Sequence, residues 1–302
     1  MTRLAVTGVG RVLPPGPHAA HDGGDWFDVA AELPGRGYAR LPRAIQYLLA
    51  AANRAVEDRG GLPGTGRAAA IGTNNACTAM LHAMNRTIIE SDAARISPIT
   101  APFFVVSLPA GRLAIELAVR AFSVTLTSPR TAGLDALRTG ARALAAGRAG
   151  ILLAGATEDL LPPEEPGHRT CDAGAVTLVC EDAARLPEDA AVRGYCETAA
   201  GFVGPDRPAA PVLERLWAGI GDGGGDLPVE AVLDDSPVGE RVADWLKEHV
   251  PGVTVVEAPA GCLTPVERVA RTLGDAGVVL TAAAEGNLTL CRVSPPTERN
   301  RQ

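Results

Sequence analysis

Residues 122 to 159 read FSVTLTSPRTAGLDALRTGARALAAGRAGILLAGATED, and the architecture follows from how this segment parses. Polar and apolar residues alternate through "FSVTLT", as in a half-buried strand. Leu134, Leu137, Ala141 and Leu144 then recur at helical spacing and make one apolar stripe. Gly147 and Gly150 stop that helix before the apolar run "ILLAG". Strand, helix and strand in close succession imply a parallel pair joined by a crossover helix. The turn Thr127-Ser128-Pro129-Arg130-Thr131-Ala132-Gly133 is built to display one side chain at the start of the helix, and that side chain is Arg130. Arginine is no nucleophile and stays protonated at any ordinary pH. A cation at a helix N-terminus costs about 0.3–1 kcal/mol unless a partner offsets it.

The same alternation extends in both directions. Upstream, "RLAVTGVGRV" is a strand and glycine turn without the third glycine of a dinucleotide fingerprint. Residues 17 to 40 are polar, glycine-rich and expected as loop. From 42 to 59, apolar residues at 45, 48, 49, 52 and 56 predict an amphipathic helix ended by Gly60-Gly61. "AAAIGT" reads as a strand; residues 77 to 90 place Cys77, Met80, Leu81, Met84 and Ile88 on one helical face; 107 to 120 is helical. Downstream, "LLPPEEPGHR" is a loop and "AVTLVCED" a strand. A second half begins near 185 with "AVRGYCET", a helix at 211 to 219 and the flexible "GDGGGD". It continues through strand "VEAVLDD", helix 239 to 249, strand "VTVVEA", helix 264 to 275, and strands "GVVLTAA" and "NLTLCRV". The expected organisation is α/β, with halves at 1–184 and 185–302.

Composition narrows the function classes. The chain has 302 residues, 46% hydrophobic and 21% charged, as in an ordinary globular protein. Its net charge of −7 argues against a nucleic-acid partner, since phosphate binding wants a basic face. No apolar run approaches the ~18 residues of a membrane helix. "MTRLAVTGVG" enters a strand directly, without a signal peptide's apolar core, so a cytoplasmic location is expected. Cysteines 77, 171, 180, 196, 262 and 291 show no CxxC pair and are expected to be reduced. His168 and Cys171 form an HxxC with no second pair along the chain, so no metal or cofactor is expected.

Several segments, in order, resemble the β-ketoacyl synthases of fatty acid and polyketide assembly. "LAVTGVGRVLPPG" is similar to their opening strand and turn, "IQYLLAAANRAVEDRGG" to their first long helix, and "RISPITAPFFVVSLPAGRLAIEL" to the segment approaching the active site. "SVTLTSPRTAGLDALRTGARALAAGRAGILLAGATE" resembles the region of their active-site cysteine, and "AGAVTLVCEDAARL" the strand closing the N-terminal half. The resemblance covers most of residues 1 to 186. It implies a compact thiolase-like fold of two pseudo-symmetric halves in αβαβα layers. It also implies a cysteine that receives the acyl chain and two histidines that assist decarboxylation. Here Arg130 falls at the cysteine's place, Asp235 at that of the first histidine, within "VEAVLDDSP", and Cys262 at that of the second, within "EAPAGCLTPVERVA". The gating loop near the C-terminus is reduced to "AAAEGN".

Within that family, the resemblance points to the chain-length factors. These lack the cysteine, pair as a heterodimer with a catalytic ketosynthase, and shape the tunnel in which the chain grows, with acyl carrier protein docking transiently. They usually carry glutamine where this chain has Arg130. The compactness favours a polyene-type over an aromatic type II system. By the same resemblance, the strand "SVTLT" would pair across the dimer, and Cys77, Met80, Leu81 and Met84 would line the tunnel; a Met and Leu stripe at helical spacing also fits plain core. For Arg130 two readings stand: a plug paired with a carboxylate, or a bidentate donor to a substrate carboxylate or thioester oxygen. Two alternatives of other classes remain open. One is a stand-alone acyltransferase-type enzyme with a relocated nucleophile, Cys262 or Ser236, with Asp235 nearby and His249 as base. The other is a homodimeric scaffold that keeps only the fold.

Overall fold

The computed structural model describes residues 3–16, 20–21, 26–187, 190–204, 206–220, 227–257 and 261–296. The glycine-rich "GDGGGD" lies outside these residues. In chain order the elements are β1 (Arg3–Val12), α1 (Val29–Glu32), α2 (Arg43–Arg59), β2 (Arg67–Gly72), α3 (Thr78–Glu90), α4 (Leu108–Glu116), β3 (Phe122–Leu126), α5 (Ala132–Ala145), β4 (Ile151–Glu158) and β5 (Gly174–Asp182). The second series is β6 (Gly194–Phe202), α6 (Ala210–Gly219), β7 (Val229–Leu233), α7 (Pro237–His249), β8 (Thr254–Glu257), α8 (Leu263–Thr272), β9 (Gly277–Ala282) and β10 (Asn287–Ser294). One departure from the expected loop at 17–40 is α1. Its first turn forms because the Asp28 carboxylate accepts from the N–H groups of Ala30 and Ala31.

The strands form one sheet in the order β3-β2-β4-β5-β1-β6-β10-β9-β7-β8. Read outward from the middle, both sides run alike. In the first, β2 pairs in parallel with β3 and β4, while β5 is antiparallel to β4 and β1. In the second, β7 pairs in parallel with β8 and β9, while β10 is antiparallel to β9 and β6. The two series meet where β1 pairs antiparallel with β6 over Arg3↔Glu197 to Val6↔Gly194.

Side-chain alternation along the strands sorts the core into layers. Ala68 and Ala70 of β2, Leu152, Ala154 and Ala156 of β4, and Val176 and Leu178 of β5 face a central layer holding α5 and α8. Their neighbours Ala69, Ile71, Ile151, Leu153 and Val179 face the opposite way, onto α2 and α4. In the second series, Val279 and Val293 face the central layer, while Val278, Leu280, Leu288 and Leu290 pack under α6 and α7. Helix, sheet, helix, sheet, helix is the resulting stack. At the join, Cys180 of β5, Cys196 of β6 and Cys291 of β10 are wholly buried, and the Cys291 thiol hydrogen-bonds with Cys196.

The helix of the quoted unit is anchored as its stripe predicts. Leu134 and Leu137 are fully buried and Leu144 nearly so, each contributing about 1.5–3 kcal/mol. At its end, the N–H of Gly147 donates to Leu144 and that of Arg148 to Ala143, with Gly147 at φ +70°, closing the last turn.

Candidate functional site

The site is built where two helix N-termini come together in the central layer. At the first, β3 ends at Leu126 and α5 begins at Ala132, leaving Arg130 at the bend with φ +55°. Only two non-glycine residues among those described have positive φ, and a branched-off side chain there is strained by about 1–2 kcal/mol. Such a bend lifts its side chain clear of the strand and over the helix start, the geometry used to present nucleophiles. Here it presents a guanidinium. Arg130 Nε lies 2.9 Å from Asp234 Oδ2, with the aspartate side chain only 9% exposed. The other oxygen of Asp234 accepts from the backbone N–H and hydroxyl of Ser236, whose hydroxyl in turn accepts from the Gly239 N–H to cap α7. Asp234 thus offsets the cation that the α5 dipole disfavours. The adjacent Asp235 is exposed.

The second N-terminus is that of α8. Its N-cap is Cys262, whose own side chain makes no capping bond to the helix. The orphan N–H groups go instead to two carboxylates from distant chain. Asp172 accepts from the Leu263 and Thr264 N–H groups and, at 2.7 Å, from the Thr264 hydroxyl. Glu158, at the end of β4 and fully buried, accepts from the Cys262 N–H at 2.9 Å and from the N–H groups of Asn74 and Asn75. Burial pushes the Glu158 carboxyl up to about 7, against the Cys262 thiol and the backbone donors, which pull it down. Burial likewise raises Asp172 to about 6, opposed by its bonds to α8 and by the Arg130 charge. Cys262 is itself fully buried, and burial and the Glu158 charge push its thiol well above the usual range. A buried, protonated thiol is a poor nucleophile.

Gly133 brings the two helix starts together. A Cβ there would lie 2.6 Å from the Cys262 carbonyl oxygen and 2.4 Å from Val266 Cγ2, so only glycine admits this approach. Arg130, Asp234, Asp172, Glu158 and Cys262 therefore belong to one neighbourhood. Of these, Asp234, Glu158 and Asp172 carry no signal in the sequence beyond being acids at strand ends.

Other singled-out residues lie elsewhere. Ser236 and His249 stand at opposite ends of the 13-residue α7, roughly 20 Å apart at 1.5 Å per residue. The His249 ring stacks on Trp245 and its Nδ1 bonds the Trp245 carbonyl. His249 therefore cannot act as the base for Ser236. On α3, Met84 is buried, while Met80 and Leu81 are half-buried. Among the described residues, none of the three belongs to the packed core clusters. Cys77 caps the start of that helix, its thiol raised to about 11 by burial and by the nearby Asp159. The "AAAEGN" segment is a tight link between β9 and β10, closed by the Gly286 N–H donating to the Ala283 carbonyl.

The sequence profile of the β-ketoacyl synthase N-terminal domain matches residues 17–203. The chain belongs to the β-ketoacyl synthase family. A curated member, 3-oxoacyl-[acyl-carrier-protein] synthase 2 of Vibrio cholerae serotype O1, is 26% identical over 282 residues, covering 83% of this chain. This chain spans 66% of that synthase's length. Among solved structures, the ishigamide ketosynthase/chain length factor superposes with a TM-score of 0.78 at 17% identity, covering 97% of this chain and 99% of that one. A type II polyketide synthase acyl-carrier protein in complex with its hexaketide-bound ketosynthase gives a TM-score of 0.75 at 15% identity, covering 98% and 99%. These likenesses establish the ketosynthase, thiolase-type fold for the whole chain.

Proposed function

We propose that this β-ketoacyl synthase-family chain is a non-catalytic, chain-length-factor-like subunit that pairs with a catalytic ketosynthase in type II polyketide assembly and helps mould the acyl tunnel. The observation that carries the reading is the Arg130–Asp234 pair, which fills the nucleophile's bend with a neutralised cation. A guanidinium cannot become an acyl carrier. The pair favours the plug reading of Arg130 over direct contact with substrate. The neighbours with ketosynthase and chain-length-factor names support the choice of system through fold alone.

Surface features support pairing. Among the described residues, five of the seven exposed large apolar side chains are Ile88, Ile89, Val105, Val106 and Ile115, all on the chain leading into β3. That strand closes one end of the sheet order, so one of its edges has no strand beside it. A strand-paired dimer would cover both. Acyl carrier protein would then reach the tunnel through the complex.

Incubation of the purified chain with an acyl-carrier-protein thioester, followed by intact-mass measurement, is expected to give no covalent adduct. Co-expression with a synthase that keeps its cysteine and histidines is expected to give a one-to-one complex that condenses. Acylation and elongation by the chain alone would overturn the reading and revive the relocated nucleophile. A self-dimer that ignores such synthases would favour the scaffold.

A further inference from the structure

The HxxC at His168 and Cys171 gains a third member in the folded chain. His21, far upstream and just beyond β1, comes to the same place, and the donor atoms of His21, His168 and Cys171 all lie within 4.8 Å of one another. The two rings meet edge to face with centroids 5.5 Å apart. Cys171 is buried, and both histidines are partly so. We propose that His21, His168 and Cys171 form a binding site for a borderline-soft divalent transition metal of the zinc class.

Three features carry this. The first is the donor set: two imidazoles and one thiol suit zinc and its neighbours and exclude magnesium or calcium, which want oxygen. The second is orientation. His168 Nδ1 lies 2.6 Å from the Leu161 carbonyl oxygen, a separation that needs a proton on Nδ1. The ring's Nε2 is then the metal donor, held by the backbone bond usual behind a metal-bound histidine. The Cys171 sulfur accepts the Leu161 N–H at 3.3 Å and donates its thiol proton to the His168 carbonyl at 3.0 Å, so the proton a metal would replace is the one on that second bond. The third is access. His21 and Cys171 line a cavity of about 560 Å³ together with Asp172, Thr264 and Arg271. Tetrahedral zinc with bonds of about 2.0–2.3 Å needs donors about 3.3–3.7 Å apart. Closing the observed spread takes about 1 Å, within reach of a rotation of the His21 ring.

On binding, the Cys171 thiol releases its proton to solvent, a metal–sulfur bond forms, and the two imidazoles displace metal-bound waters. A fourth position remains for one exchangeable water on the cavity side. The metal would pin the segment after β1 to the loop between β4 and β5, next to the Asp172 carboxylate that caps α8. Sequence reading stopped at the HxxC because the third donor is brought in only by folding.

The test uses tag-free full-length chain, stripped with a chelator and titrated with Co²⁺. One equivalent is expected to bind, with the visible absorption of tetrahedral cobalt and a near-ultraviolet sulfur-to-cobalt band, and Zn²⁺ is expected to displace it. Cys171→Ser and His21→Ala should each weaken binding by more than about 100-fold, since loss of an outer-shell partner alone costs about 10–100-fold. His82→Ala, on α3 and outside the cluster, should bind as the parent does. His21 is itself half-exposed, so its variant reads the metal rather than the fold; circular dichroism of the metal-free variants checks this. Absence of saturable binding to the parent, a cobalt spectrum without the sulfur band, or equal affinity in His21→Ala overturns the site.

Discussion

Arg130 combines a costly backbone with a compensating charge, and the two can be separated by substitution. Arg130→Ala loses the Asp234 contact and keeps positive φ, for a cost of about 1.5–3 kcal/mol. Arg130→Gly loses the same contact but relieves the backbone, so it should be the more stable of the two by about 1 kcal/mol. Thermal melting of both variants checks the order; equal midpoints would mean that the bend is not strained. Arg130 was legible because a short turn between strand and helix leaves room to display one residue. Asp234, its partner, was not singled out: it is one of two adjacent acids at a strand end, and successive residues there face opposite ways, so pattern alone does not tell which turns inward. Glu158 and Asp172 were not legible at all, since their partner is the start of a helix about a hundred residues downstream.

At the level of elements, α5 and α8 touch through a contact with no spare volume. Gly133→Ala is expected to destabilise the fold by about 1–3 kcal/mol, because the added carbon must displace Val266 and the Cys262 carbonyl. Denaturant unfolding measures this, and an unchanged midpoint would mean that the helices can separate freely. On α3, the position of Met80, Leu81 and Met84 outside the packed clusters bears on tunnel lining. Met80→Trp or Met84→Trp in a reconstituted complex should shorten the product, while an unchanged product distribution would make the stripe plain filling. Periodicity placed most helices and strands because their apolar faces are one-sided. It passed over α1, which is held by a side-chain cap and has no buried residue.

Taken as a whole, the molecule repeats one five-strand order twice; along the chain this was legible only in the alternation of strand and helix and in the family resemblance, with no close repeat of residues. Topology survives when every side chain has changed, because layer packing asks only for apolar faces of the right period. Burial also raises three carboxyls: Glu158 to about 7, Asp159 and Asp172 to about 6. Each holds its proton more tightly folded than unfolded. Their contribution to stability is therefore complete below the ordinary carboxyl range, declines as pH rises, and levels off above about 7. Between pH 5 and 8, Asp172→Asn should flatten the fall in unfolding free energy by about 1.4 kcal/mol, one pKa unit's worth. An identical slope in parent and variant would contradict it.

The seam where β1 meets β6 carries its own reporter. Cys180, Cys196 and Cys291 are sealed there from solvent, one on the first strand series and two on the second. A thiol reagent can reach them only during moments when the two sides come apart. The labelling clock of these three sulfurs, read against the half-exposed Cys77, would time how often the duplicated sheet unzips along its midline.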